Sequence, residues 1–302
     1  MENKATSDLV EFSTTKPLAD IVGIESIRQH ALIVLQHSPS DPTDFIDAIC
    51  RLTERLFTGQ FWHYQPADLR YHDFLHTLQA TQVYLDLADA VRQNLPVEKR
   101  PTARELELGF AAILLHDSGY LKARGDDSGS GAKYTHCHVL RSCALSASIL
   151  PSLGCLPAEI DDALGAIRST GLQGSPTVSK FSNERTRLIA CMVATADYIG
   201  QMAAPEYPDK LSSLYTEFEE SEDYIGTPRE RRMFQSPASL IAATPGFWTS
   251  FVLPRLDHDL AGIYRLLAAP YPSGPNRYLA AIEHNIGIIT TRSILAASSP
   301  QA

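Results

Sequence analysis

Five of the ten histidines fall between positions 72 and 138, and their spacing is what suggests chemistry. Tyr71-His72-Asp73-Phe74-Leu75-His76 sets two imidazoles at i and i+4, one turn apart on one face of a helix. Leu114-Leu115-His116-Asp117-Ser118-Gly119 places an adjacent His-Asp pair directly after an apolar run. Such a pair emerges from a buried helix, where an unpaired charge is costly and a metal ion would offset the cost. Ala194-Thr195-Ala196-Asp197-Tyr198 puts an acid into a helix that is otherwise apolar on that side (Ile189, Met192, Val193, Ile199). Alone, Asp197 reads as a capping or salt-bridged aspartate. Beside His76, His116 and Asp117 it supplies a fourth donor, and two imidazoles with two carboxylates suit a divalent first-row ion or Mg²⁺ with positions left for water.

The ordered set, Tyr-His-x-x-x-His, then an adjacent His-Asp, then a distant helical Asp, resembles the HD superfamily of metal-dependent phosphohydrolases. Tyr71-His72-Asp73-x-x-His76 is similar to the Tyr-His-Asn-x-x-His box of cyclic nucleotide phosphodiesterases and of small bacterial HD proteins. His116-Asp117-Ser118-Gly119-Tyr120 resembles the His-Asp-x-Gly-Tyr of the bacterial ones, and the whole signature covers Tyr71 to Gln201, less than half of the chain. The resemblance implies an all-α fold, an HD-domain or phosphodiesterase-like helical bundle with extra N- and C-terminal helices. It implies one or two divalent ions (Mn, Mg, Fe or Zn) held by His76, His116, Asp117 and Asp197, and a small phosphorylated substrate, a nucleotide or cyclic nucleotide. His72 matches the family's general acid and, with Asp117, makes the catalytic pair. The ion would polarise the phosphoryl oxygen and acidify a water, so that in-line attack needs little covalent help from the protein.

Asp73 departs from the phosphodiesterase asparagine and either orients His72 or is a solvated helix charge. His138-Val139-Leu140-Arg141-Ser142 resembles the His-x-x-x-Ser element of the small bacterial proteins, which implies that His138 faces the metal pocket as an outer or second-metal ligand. His136 reads as a loop histidine. Two other classes resemble this set: a non-catalytic nucleotide-binding HD sensor, and an HD-type di-iron oxygenase that would draw on His136 and His138.

For anion binding, Lys133 follows a Gly/Ser/Asp-rich loop (Gly125 to Gly131) and is placed to close over a phosphate. Arg168 follows a helix that should pack near the site. The loop lacks the Lys-Ser/Thr of a phosphate-binding P-loop, and neither H-E-x-x-H nor G-x-S-x-G occurs, which excludes zincin and α/β-hydrolase chemistry. Glu217 to Asp223 holds five acids in seven residues and reads as a solvated acidic turn.

Helical periodicity dominates the elements that must carry these residues. It predicts helices over Ile24 to His37, from Asp41-Pro42-Thr43-Asp44 to Leu56, over His72 to Leu95 (stopped by Pro96), and over Pro101 to His116. Further helices follow over Thr135 to Leu150, Pro157 to Ser169, Asn183 to Met202, Pro208 to Glu220, Gly246 to Leu267 and Asn276 to Ala296. Pro254 should bend or break the one that contains it. Without strand alternation or a shift in composition, the 302 residues read as a polar segment over 1–20 and one helical domain over 21–302. Within it a core spans about 60–205 and a C-terminal cap about 206–296. A net charge of −9 with no basic cluster excludes a nucleic-acid scaffold as partner. No apolar run approaches the length of about 18 residues that spans a bilayer, and the N-terminus has no signal-peptide core. The five cysteines, odd in number and without C-x-x-C spacing, point to free thiols in a reducing cytoplasm. A homo-oligomer stays open.

Overall fold

The computed structural model describes residues 18–21, 23–35 and 44–298. Most of the N-terminal segment read over 1–20, the residues 41–43 expected to open the second helix, and the last four residues lie outside them. Among the described residues the protein is all-α. The only pairing of extended backbone among these residues is an isolated antiparallel bridge between Tyr64 and Ala123. No described helix is long and apolar enough to cross a membrane.

The helices are α1 (Ile24–Val34), α2 (Asp44–Phe57), α3 (Phe74–Asn94), α4 (Ala103–Leu115), α5 (His138–Ile149), α6 (Pro157–Arg168), α7 (Glu184–Ala203) and α8 (Tyr207–Tyr224), then α9 (Pro237–Phe247), α10 (Leu253–His258) and α11 (Arg277–Ser298). Their ends follow local chemistry. Thr102 and Glu105 form a capping box that starts α4, and Asn183 accepts from Arg185 and Thr186 N–H to start α7. One continuous apolar cluster runs from Leu18 to Ile289 and draws on every one of these helices.

α4 and α7 sit at its centre. Every residue from Leu106 to Leu115 and from Ile189 to Gly200 is buried, the mark of a helix surrounded by others rather than one lying on a surface. α3 packs most extensively on α7, and the contact is backbone to backbone. A Cβ placed on Gly200 would lie 2.6 Å from Ala80 Cα. That approach brings His76, one turn before Ala80, against Asp197, one turn before Gly200.

Two expectations are corrected here. The stretch from Gly246 to Leu267 is not one helix. α9 continues through a π-helical turn (Trp248–Val252) into the short α10, and a 3₁₀ turn (Ile263–Leu267) follows. Pro254 has no N–H to give the preceding turn, and the widened turn just before it absorbs that loss. The acidic stretch Glu217 to Asp223 is not a turn; it is the last half of α8.

Candidate metal centre

Three helices deliver the donors. His76 lies in the first turn of α3, His116 is the C-cap residue of α4 with Asp117 next to it, and Asp197 lies on α7. His76, His116 and Asp197 are buried, and their ligand atoms all lie within 4.8 Å of one another. His76 Nε2 is 3.2 Å from Asp197 Oδ1 and 3.4 Å from Asp117 Oδ2. His116 Nε2 is 3.3 Å from Asp117 Oδ2 and 3.5 Å from Asp197 Oδ1. These separations suit one shared ion, because tetrahedral ligands about 2.0–2.1 Å from a metal sit about 3.3 Å from each other.

The hydrogen bonding fits the same reading. His116 Nδ1 lies 2.7 Å from Ile113 O, so an Nδ1–H is held there and Nε2 is the nitrogen aimed at the carboxylates, the orientation of a metal-binding imidazole. Both His116 Nε2 and Asp117 Oδ2 are buried without a hydrogen-bond partner. Orphaned buried polar atoms are rare, and a cation between them would satisfy both. Electrostatics point the same way. Burial alone would lower the His116 pKa, but the charges of Asp117 and Asp197 outweigh it and hold the imidazole well above its ordinary range. Burial alone would raise the two acids, yet His116 holds Asp117 well below the carboxylate range and Asp197 at about 2. The pocket strongly favours positive charge.

His72 stands beside this group but not on the helix. α3 begins at Phe74, so the expected pairing of His72 and His76 on one helical face is corrected: only His76 is helical, although the two ring centroids are 6.1 Å apart. Asp73 does not orient His72 and is not a free surface charge. It is the N-cap of α3, accepting from His76 N–H at 2.9 Å and from Lys210 Nζ at 2.6 Å.

The residue that orients His72 is Glu217, which is not in the solvated turn expected of its acidic run. Its buried carboxylate accepts from Arg70 N–H (3.0 Å) and Tyr71 N–H (2.7 Å) through Oε1 and pairs with His72 Nδ1 (2.7 Å) through Oε2. Burial pulls the His72 pKa down, but Glu217, with Asp117 and Asp197 behind it, more than compensates and the net shift is upward. Continuing the inward phase of Leu211, Tyr215 and Phe218 is the sequence signal that would have put Glu217 at the edge of the buried side of α8.

Tyr120 ties His72 to His138. Tyr120 stacks on both rings, 4.7 Å from His72 and 4.4 Å from His138, while the two imidazoles are 6.3 Å apart and tilted by 32°. His138 opens α5. Its Nδ1 lies 2.7 Å from Thr135 O and its Nε2 3.7 Å from Asp117 Oδ1. Gly119 lets α5 come this close, since a Cβ there would meet His138 O at 1.9 Å, and its N–H donates to Ser142 Oγ at 2.8 Å. That bond gives the His-x-x-x-Ser spacing a physical meaning. The His72 and His138 side chains are 16% and 19% exposed, against 12% for Asp197, 4% for His76 and Asp117 and 1% for His116.

The expected anion-binding residues are engaged by other groups. Lys133 is buried, and its Nζ donates to Asp126 Oδ1 (2.5 Å), Ser128 O (2.6 Å) and Ser128 Oγ (2.9 Å), so it staples the glycine-rich loop instead of reaching out of it. Glu220 holds the same loop from α8 by accepting from Ser130 N–H and Oγ–H. Arg168 is exposed at the end of α6, beside the Cys143 thiol, where its charge opposes the upward push of burial on that thiol. His136 is half exposed, with Nε2 3.4 Å from Glu222, and stands in the loop as read.

A family model described as Npun_R2479-like matches residues 166–266, a stretch that contains Asp197 and Glu217 but none of His72, His76, His116 and Asp117. No curated protein matches the chain.

Proposed function

We propose that this protein is a metal-dependent phosphohydrolase of the HD type, acting on a small phosphate ester such as a nucleotide or cyclic nucleotide. The observation that carries the reading is the convergence of two imidazole Nε2 atoms and two carboxylates from α3, α4 and α7 in one buried pocket, with a nitrogen and an oxygen left unpartnered. His76, His116, Asp117 and Asp197 would hold the ion, which when bound supplies Lewis acidity and an acidified water.

The remaining steps fall to the chain's own groups. Glu217 fixes the proton on His72 Nδ1 and keeps the ring protonated at higher pH than a free histidine, which leaves Nε2–H as the proton donor to a leaving oxygen. Tyr120 stacks on both the His72 and the His138 ring, and His138 faces the outer oxygen of Asp117.

A second reading, attack of water on a small uncharged substrate at the same centre, is favoured by a specific observation: four candidate phosphate-binding cations are committed to protein groups. Lys133 is bound within its loop, Lys122 pairs with Asp68 at 3.0 Å, Lys210 with Asp73, and Arg141 donates to Gly119 O and Leu121 O.

Metal-stripped protein, given Mn²⁺, Mg²⁺, Fe²⁺ or Zn²⁺ and a panel of nucleotides and phosphodiesters, with Asp117→Ala alongside, tests the proposal. Metal-dependent phosphate release that is absent from Asp117→Ala is the expected result. Tight nucleotide binding without turnover under any metal would replace it with the sensor reading, and oxygen-dependent turnover at an iron pair with the oxygenase reading.

A further inference from the structure

His76 differs from the other two imidazoles around the centre. His116 and His138 each place Nδ1 2.7 Å from a backbone carbonyl, whereas His76 turns Nε2 to the carboxylates and, among the described residues, shows no protein partner for Nδ1. A metal-binding histidine almost always donates its second N–H to a carboxylate, a carbonyl or a water.

Against His76 lies a partly open pocket with about 10 Å³ of room, lined by Tyr71, Gln79, Gln201, Glu206, Tyr207 and Lys210. That is room for one water molecule, provided that two or more polar groups hold it. Gln79 stands three residues after His76 on α3, and Gln201 four residues after Asp197 on α7, so two of the three helices that supply ligands also supply an amide to the pocket. Gln79 Nε2 donates to Glu206 Oε1 at 2.6 Å, and Tyr71 Oη donates to Gln201 Oε1 at 2.8 Å. Those bonds leave Gln79 Oε1 and Glu206 Oε2 as acceptors.

We infer that this pocket is a binding site for a single structural water that accepts the His76 Nδ1–H and donates to Gln79 or Glu206. The water does for His76 what the Ile113 carbonyl does for His116: it fixes the tautomer and the ring orientation that aim Nε2 at the centre. The effect on metal affinity rests on the metal-centre reading; the site itself does not depend on the reaction.

A crystal structure of the full chain, at a resolution that shows ordered water, tests the site directly. The expected result is a water within hydrogen-bond distance of His76 Nδ1 and of Gln79 Oε1 or Glu206 Oε2. A dry pocket, or a His76 Nδ1 bonded to a protein group, overturns the inference. Zn²⁺ titration of Gln79→Met, which removes the amide at nearly constant volume, should show affinity about 10–100-fold weaker, while Glu206→Gln, which keeps an acceptor oxygen, should stay close to wild type. Unchanged Zn²⁺ affinity in a folded Gln79→Met that has lost the water also overturns it, as does an equal loss in both variants. A chain that takes up no metal refutes the role given to the water. Failure of phosphate release alone, with the water present and the affinity change observed, refutes only the proposed reaction.

Discussion

Replacing Glu217 by Gln separates the role of its charge from the role of its shape. The amide oxygen can still accept from Arg70 and Tyr71 N–H, but the group facing His72 Nδ1 becomes an NH₂ that cannot accept a proton from it. A hydrogen bond to a charged partner contributes about 1.5–3 kcal/mol. At about 1.36 kcal/mol per pKa unit, the His72 pKa should fall by roughly one to two units. In the wild type Glu217 and the acids behind it outweigh burial; in the variant only Asp117 and Asp197 remain to oppose burial, so the pKa moves down. The sign carries over to stability. A raised pKa in the folded state contributes stability that is fully present below about 6.5 and is lost as pH rises through the folded value, so the variant's deficit should be larger at acid than at alkaline pH. The alkaline limb of the rate profile should move to lower pH, with a rate loss of about 10–100-fold above the new pKa. NMR titration of the His72 ring with urea unfolding at two pH values measures the first two effects without any substrate. An unmoved His72 midpoint, or a stability deficit that grows with pH, would refute the reasoning.

Because His116 is held well above its ordinary pKa, metal binding at pH 7 should release about one proton per ion, and fewer as pH rises through that value; calorimetry in two buffers of different ionisation enthalpy reads this number, and a release near zero at pH 7 would contradict it. Gly200→Ala forces a Cβ to within 2.6 Å of Ala80 Cα. It should cost about 1–3 kcal/mol in denaturant unfolding and weaken metal binding by parting His76 from Asp197. Lys133→Met removes the staple that, with the Tyr134 hydroxyl, holds the Asp126 carboxyl at about 2. Limited proteolysis between Gly125 and Gly131 should then be faster while metal content is unchanged, and a loss of metal would show that the loop helps to build the centre.

The parts of this molecule that were legible from sequence are those written in local chemistry. The start at Pro101, the stop at Pro96 and the apolar runs before His116 and around Asp197 gave α3, α4 and α7 to within a residue or two, and with them the four donors that the structure gathers. The errors came where a contact distant in sequence sets a residue's role. Nothing local marks His72 as lying before the helix rather than on it, because Asp73 reveals itself as the cap only through its bond to His76 N–H. Glu217 looks like one more acid in a charged run until 145 residues of chain bring it to His72. Lys133 looks like a loop cation available for a phosphate, whereas Asp126 and Ser128 fold back to enclose it. Pro254 signalled a break correctly, but the π turn that accommodates it depends on packing among the last helices.

The central claim is that His76, His116, Asp117 and Asp197 form one metal centre with His72 outside it. Metal content per chain, measured after equilibrating the stripped wild type, Asp117→Ala, Asp197→Ala and His72→Ala with Mn²⁺ or Zn²⁺, tests it most directly. The account predicts at least one ion per chain in the wild type and in His72→Ala, and loss of that ion from both aspartate variants. A wild type that binds no metal, or aspartate variants that keep the full complement while folded, would contradict it.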